Sequence, residues 1–301
     1  MSNPAVISKS ATKLSFLSMA LPGFFVLLWS TGFIVAKFGL PYAPPLTFLL
    51  LRFLGVLVIL LPLVLLLKAP WPVGKIRHIA VAGLLLQAGY LSGVWCAIKL
   101  GMPAGLSALI VGMQPILTAF AAPLIGESVR PRQWLGLLFG MLGVALVVAA
   151  KIHLVGLSLP SILLCLFALV SITAGTLYQK QFCPRFDLRT GTVIQFAASI
   201  IIVLPLALMF EGLNPGFTQV QWTPRFIGAL MWSVMALSIG AIFLLFALLR
   251  RSDATQVTSL LYLTPPCTAV MAWLMFGEAF NALGIAGMVV AVIGVIFVVK
   301  K

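Results

Sequence analysis

Ser107, Val111, Gln114 and Thr118 recur at i, i+4, i+7 and i+11. At about 100° per residue they fall on one stripe of a helix. Hydroxyls and an amide in a stripe can hold a small polar solute. The surrounding stretch is apolar, so the stripe must face protein or water rather than lipid. Two readings stay open: the wall of a cavity, or hydrogen bonding between helices. Thr258, Tyr262, Pro265 and Ala269 repeat the spacing 151 positions on. Gln87 and Tyr90 share another face, with Trp95 about 80° away. An amide and a phenol there could bind an amino or carboxylate group while the ring covers an apolar side chain. Gln87 aligns with Ser238 in the second half. Ser171, Gly175 and Tyr178 fall together, as do Ser30, Phe33 and Lys37. Trp29 and Trp232 read as site aromatics or as interface anchors.

Charged residues narrow the chemistry. Arg52 lies about eight residues, or about 12 Å, into an apolar run. It could pair a substrate carboxylate, or it could snorkel or bond helix carbonyls. Lys37 and Lys180 sit at matching span ends, where they snorkel or act as symmetry-related gate cations. The five acids, Glu127, Asp187, Glu211, Asp253 and Glu278, fall in loops or at helix ends. Glu127 and Glu278 precede the next helix and are expected to cap it. No carboxylate is mid-span, and His78 and His153 are near span ends. Proton-coupled carriers usually bury an acid or a histidine, so the expectation is transport down a gradient, or coupling through a group that the sequence does not mark. No Ser-His-Asp set, H-E-x-x-H helix or Walker loop is present. Cys96, Cys165, Cys183 and Cys267 are scattered and read as packing residues. The chain is therefore expected to be no enzyme, with no cofactor and no metal.

The chain is 62% hydrophobic and 8% charged, against about 25% charged in soluble domains. Lipid must be the solvent for most of it. Apolar runs long enough to span are expected near residues 21–40, 44–67, 76–98, 103–125, 132–150, 157–182, 190–210, 226–249, 254–276 and 282–299. Pro44, Pro103 and Pro160 begin helices, where a missing N–H costs least. Pro62, Pro115, Pro205, Pro265 and Pro266 are expected mid-span, bending their helices. Residues 1–18 read as a short cytoplasmic tail without a cleaved signal peptide. The net charge of +14 is read as topology rather than nucleic-acid binding. With the N-terminus inside, cytoplasmic segments hold fourteen Lys and Arg. The outer loops hold three: Lys99, Lys151 and Arg225. Both termini are thus expected in the cytoplasm.

The chain also repeats itself. Pro115 falls on Pro266, Gly126-Glu127 on Gly277-Glu278, Gly136 on Gly287 and Gly143 on Gly294, all 151 apart. Gly32 and Lys37 match Gly175 and Lys180 at an offset of 143. Ten spans in two copies give five each, and an odd number inverts the second copy. The expected fold is an all-α membrane protein of ten transmembrane helices. A tail (1–18) precedes a first five-helix repeat (19–151) and a second, inverted one (152–301). Inverted repeats mark secondary transporters, with the site at the repeat interface near midplane.

Leu28-Trp29-Ser30-Thr31-Gly32-Phe33, Leu51-Arg52-Phe53, Gln114-Pro115 and the twin Gly-Glu stops resemble the drug/metabolite transporter superfamily. The pattern is similar to its ten-helix EamA-type branch and, within it, to YddG-type amino-acid exporters. The resemblance implies an inner-membrane carrier exporting amino acids or similar small metabolites by alternating access. The alternatives are a drug or other metabolite carrier, nucleotide sugars included, or a channel. It also implies a cavity lined by spans 1, 3, 4, 6, 8 and 9, with spans 5 and 10 as a buttressing or dimer-facing edge. The candidate lining residues are Ser30, Gln87, Tyr90, Trp95, Ser107, Gln114, Tyr178, Ser238, Thr258 and Tyr262. Lys37 and Arg52 are candidates for gating or charge pairing. Few cavity cations favour a small zwitterionic or neutral solute. The expected partners are that solute and the bilayer, with no nucleic acid, in a monomer or homodimer.

Overall fold

In lipid only a ladder closed within one segment satisfies the backbone of an isolated apolar run. Every regular element among the described residues is accordingly a helix. The computed structural model describes residues 21–299 apart from 33, 37, 103–106, 108–109, 150–157 and 277–281. The side chains of 148, 265, 269, 272 and 276 also lie outside the description. Lys37, the tail at 1–18, His153 and Glu278 are among the residues not described.

The described helices are α1 (Leu21–Ala36), α2 (Pro45–Leu66), α3 (Ile76–Lys99), α4 (Gln114–Ile125) and α5 (Pro131–Ala149). They continue with α6 (Leu159–Phe182), α7 (Leu188–Glu211), α8 (Pro224–Leu249), α9 (Ala254–Met275) and α10 (Ala282–Val299). Seven of these, α2, α3 and α6–α10, are long and apolar enough to cross a membrane. Their outward faces carry Val58, Leu66, Ile201, Met209 and Phe210, all exposed. Such rows suit lipid and would be a liability in water.

Helix starts follow local chemistry. Ser158, Asp187 and Thr223 cap α6, α7 and α8, each accepting a backbone N–H from the first turn. The α2 start has no side-chain cap of its own. Glu211, at the far end of α7, accepts from Leu46 N and Thr47 N at 2.7 Å each.

Two irregularities recur at the 151-residue offset. α3 widens into a π segment at Leu84–Gly89, and α8 does so at Ser233–Ala241. The run entering α4 breaks at Gly112 and Met113 before Gln114. α9 tightens to 3₁₀ at Leu260–Leu263 before restarting at Thr264. Pro115 and Pro266 therefore lie in the first turn of a restarted helix, not in a bent mid-span as expected. There the missing N–H leaves no bond unmade. Pro62 and Pro205 do lie inside α2 and α7.

Packing pairs matching helices of the two halves. Phe53 of α2 meets Phe196 of α7, 143 positions on, with ring centroids 5.2 Å apart. α5 lies against α10 along Gly136, Gly140, Gly143, Gly287 and Gly294. A Cβ on Gly136 would stand 2.6 Å from Gly294 O, and one on Gly287 2.7 Å from Gly143 O. Only glycine allows that approach, as small-residue helix seams in membranes require.

Candidate solute cavity

The π turn of α3 adds a residue to its helical circuit and re-aims the side chains around it. A cavity opens beside it, between α1, α2, α3, α6 and α8. Leu86, Leu91, Val94 and Ile98 line it from α3, with Gln87, Tyr90 and Trp95. Trp29, Gly32 and Ala36 come from α1, and Ile172 from α6. Leu237, Ile242 and Leu245 come from α8, and Arg52 from α2. The lining is thus apolar and aromatic with three convergent polar side chains, the usual make-up of a small-molecule site.

Arg52 is 5% exposed. Its Nε donates to Ser238 Oγ of α8 at 2.6 Å. Of the five acids, the four described lie at helix ends and none lines the cavity. Gln87 makes no side-chain hydrogen bond among the described residues, so its amide is available to a solute. Trp95 is fixed by Phe48, stacked at 4.7 Å with a 21° interplanar angle.

The walls are built from matched positions. Leu86, Leu91 and Val94 have Leu237, Ile242 and Leu245 as their counterparts 151 residues on. Trp29 has Ile172 at the 143 offset. Trp29 is a candidate site aromatic in the sequence; the aliphatic lining residues were not singled out by type, although the repeat offset applied to Gln87 and its neighbours points to them.

Gln87, Tyr90, Trp95 and Arg52 are brought together in the cavity, with Ser238 behind Arg52. The other candidates sit elsewhere. Ser30 is buried and donates to Val26 O at 2.6 Å, and its own carbonyl accepts from Thr268 Oγ1 of α9. Ser107 accepts from Cys165 Sγ of α6 at 3.3 Å. Gln114 Nε2 donates to Thr176 Oγ1 at 3.1 Å, joining α4 to α6. Thr258 Oγ1 donates to Ala254 O of its own helix. The Tyr262 ring is fully buried over Gly140 of α5, and its hydroxyl has no partner among the described residues. Tyr178 OH shares a 2.7 Å hydrogen bond with His78 Nδ1. No described residue of α4 or α9 lines this cavity, whereas the lining implied by resemblance includes both helices. Of their polar stripe, Gln114 bonds α6 and the Tyr262 ring packs on α5, while Thr118 Oγ1 has no partner among the described residues.

A second cluster lies where the ends of α4 and α6 meet the start of α9. Glu127 does not cap the helix that follows it, as expected, but reaches across to α9. It accepts from Ala254 N at 2.9 Å and pairs with Lys180 Nζ at 2.5 Å. Lys180 also donates to Ser252 O. The end of α4 is thereby tied to the end of α6 and to the α8–α9 turn. Beside it a further cavity is lined by Gln179, Lys180, Cys183, Arg185, Phe246 and Arg250. Burial pushes the Cys183 thiol up to about 11. Arg250 donates to Phe186 O and lies over the Phe186 ring.

Apolar helices around a sparsely polar cavity are what a membrane protein that handles a small solute requires. This chain belongs to the EamA-like transporter family, whose model matches it twice, over residues 16–149 and 159–300. It is thus a transporter of the drug/metabolite transporter superfamily and not an enzyme. It is 30% identical to "Uncharacterized transporter YvbV" of Bacillus subtilis (strain 168), across 93% of this chain and 91% of that protein. It is 27% identical to a Salmonella typhimurium protein named "Probable amino-acid metabolite efflux pump", across 89% of this chain and 90% of that one. A solved crystal structure, 20% identical, superposes with a TM-score of 0.74 over 92% of this chain and 94% of its own, a likeness of fold.

Proposed function

We propose that the chain is an inner-membrane secondary carrier exporting amino acids or similar small metabolites by alternating access. In this reading it has ten spans in two inverted five-helix repeats, 19–151 and 152–301, with both termini in the cytoplasm. The observation that carries the proposal is the cavity itself. Its walls pair Leu86 with Leu237, Leu91 with Ile242 and Val94 with Leu245, as a site on a repeat interface would. The efflux name of the Salmonella relative favours outward transport of an amino-acid metabolite. The Glu127–Lys180 tie, which joins the halves at the end taken as cytoplasmic, serves as the inner gate. Breaking it lets α4 move away from α6 and α9. No described acid or histidine lines the cavity, which favours flux down the solute gradient without proton coupling.

The test is uptake and counterflow of a labelled panel of amino acids and amino-acid derivatives in proteoliposomes, with and without a pH gradient. Saturable flux, competed by related solutes and indifferent to the pH gradient, is expected. Flux that fails to saturate and shows no counterflow would make the protein a channel. No flux of any panel member in folded protein would point to a drug or other metabolite carrier. Strict dependence on the pH gradient would overturn the uncoupled mechanism.

A further inference from the structure

We infer that the preferred solute is a monocarboxylate with an apolar body and no free ammonium group. This rests on the transport reading above and narrows it.

The first ground is uncompensated charge. Arg52 is 5% exposed, and its one hydrogen bond among the described residues goes to a neutral hydroxyl, Ser238 Oγ at 2.6 Å. Every other described lining residue of the cavity is neutral. A buried cation left without a counter-charge is costly. The planar guanidinium fork matches a carboxylate by two parallel hydrogen bonds.

Charge arithmetic then ranks the solutes. A monoanion on Arg52 makes the loaded cavity neutral. A zwitterion leaves it singly positive, and a cation makes it doubly positive. In an α-amino acid the ammonium is two bonds from the carboxylate carbon. Pairing that carboxylate would hold the ammonium within about 5 Å of the guanidinium. Among the described lining side chains, only the Gln87 amide oxygen and the Tyr90 hydroxyl could accept a hydrogen bond from it, and neither carries charge.

The body of the solute follows from the walls. Trp29, Trp95, Leu86, Val94 and Ile172 suit an aryl or branched alkyl group. The second cavity supplies an independent ground. Arg185 and Arg250 line it beside Lys180, which is paired with Glu127, and no acid lines it among the described residues. The two remaining cations concentrate anions there.

The test holds the body constant and changes the charge. Wild-type protein in detergent is titrated with 3-phenylpropanoate, phenylalanine and 3-phenylpropylamine near neutral pH, and binding is read directly. The expected order is anion, then zwitterion, then cation, with about tenfold between the first two, or about 1.4 kcal/mol. Arg52→Gln should collapse that order towards equality, and Arg52→Lys should keep it. If Arg52→Gln does not fold, the wild-type order still decides. Zwitterion binding equal to or tighter than anion binding would overturn the inference, as would failure of all three to bind. Either result could stand beside saturable amino-acid flux in proteoliposomes, which would leave the transport reading intact. Absence of flux for every solute would remove that reading instead.

Discussion

The two walls of the cavity share a frame and differ in their chemistry. Leu86, Leu91 and Val94 on α3 face Leu237, Ile242 and Leu245 on α8, at one constant offset. The polar positions do not match. Arg52 on α2 corresponds to Gln195 on α7, Gln87 to Ser238, Tyr90 to Ala241 and Trp95 to Phe246. Gln195 does not line the cavity but donates to Gln179 Oε1 at 2.9 Å. The shared apolar frame gives the cavity its shape. The charge, the amide and the phenol all come from the first half, so the proposed solute would be oriented by one wall and contacted by both. Lys180 adds a contrast: this cation has a carboxylate partner, Glu127, and Arg52 has none among the described residues.

The strongest way to break this asymmetry is to invert its charge. Arg52→Glu should abolish binding of carboxylate solutes, weakening it at least a hundredfold, about 2.7 kcal/mol. A charged hydrogen-bond pair lost and a repulsion gained together reach that size. Titration of the same anion, zwitterion and cation should give the reverse order. An unchanged order would mean that Arg52 only braces α2 against α8.

Next in size is the tie between the halves. Glu127→Ala removes an ion pair and the acceptor for Ala254 N. That is about 1–2 kcal/mol, or about five- to thirtyfold in the balance of closed and open forms. Cys183 lines the adjoining cavity, is 2% exposed, and its thiol is held up at about 11 by burial. In protein with the other three cysteines replaced, its maleimide labelling should be slow and should accelerate several-fold in Glu127→Ala. Equal rates would show that the tie does not gate this end.

Tyr90→Phe is a smaller change, removing one hydroxyl at a position where the second half has Ala241. Loss of one neutral hydrogen bond costs about 1 kcal/mol, so affinity for a carboxylate solute should fall about fivefold. Thermal stability should hardly move, since no described residue bonds that hydroxyl.

These residues also mark how far the sequence could be read. Helix limits were legible because hydropathy and proline act locally: α10 spans Ala282–Val299 as expected, and α3 ends within a residue of its expected limit. The repeat offsets were legible as identical residue types. The π turns were not, because no residue type demands one, and they change which side chains face inward. The stripe on α4 and α9 was seen, but its partner was not. Periodicity says which side chains share a face, whereas tertiary packing decides what that face meets. Gln114 met Thr176 and Tyr262 met Gly140. Gln87, Tyr90 and Trp95 reached the cavity because α3 lies between the halves.

The smallest expected effect tests how the halves start their matching helices α2 and α7. Asp187 and Pro44 occupy corresponding positions, 143 apart, and proline has no side chain to cap with. α2 therefore borrows Glu211 from α7, while α7 caps itself. Asp187 Oδ1 accepts from Arg189 N at 2.9 Å, and the carboxylate pairs with the Arg189 guanidinium at 2.6 Å. The Arg189 side-chain hydrogen bond holds the Asp187 carboxyl below its ordinary range. A carboxyl depressed in the folded state stabilises above its unfolded pKa, about 3.9, and that contribution is lost as pH falls through the folded value. Asp187→Ala should thus cost about 0.5 kcal/mol near pH 7, read as a lower thermal midpoint. The gap from wild type should close as pH falls below about 4. A gap that stayed constant with pH would mean the capping oxygen acts without its charge. The self-capped half would then be as indifferent to acid as an uncharged cap would make it.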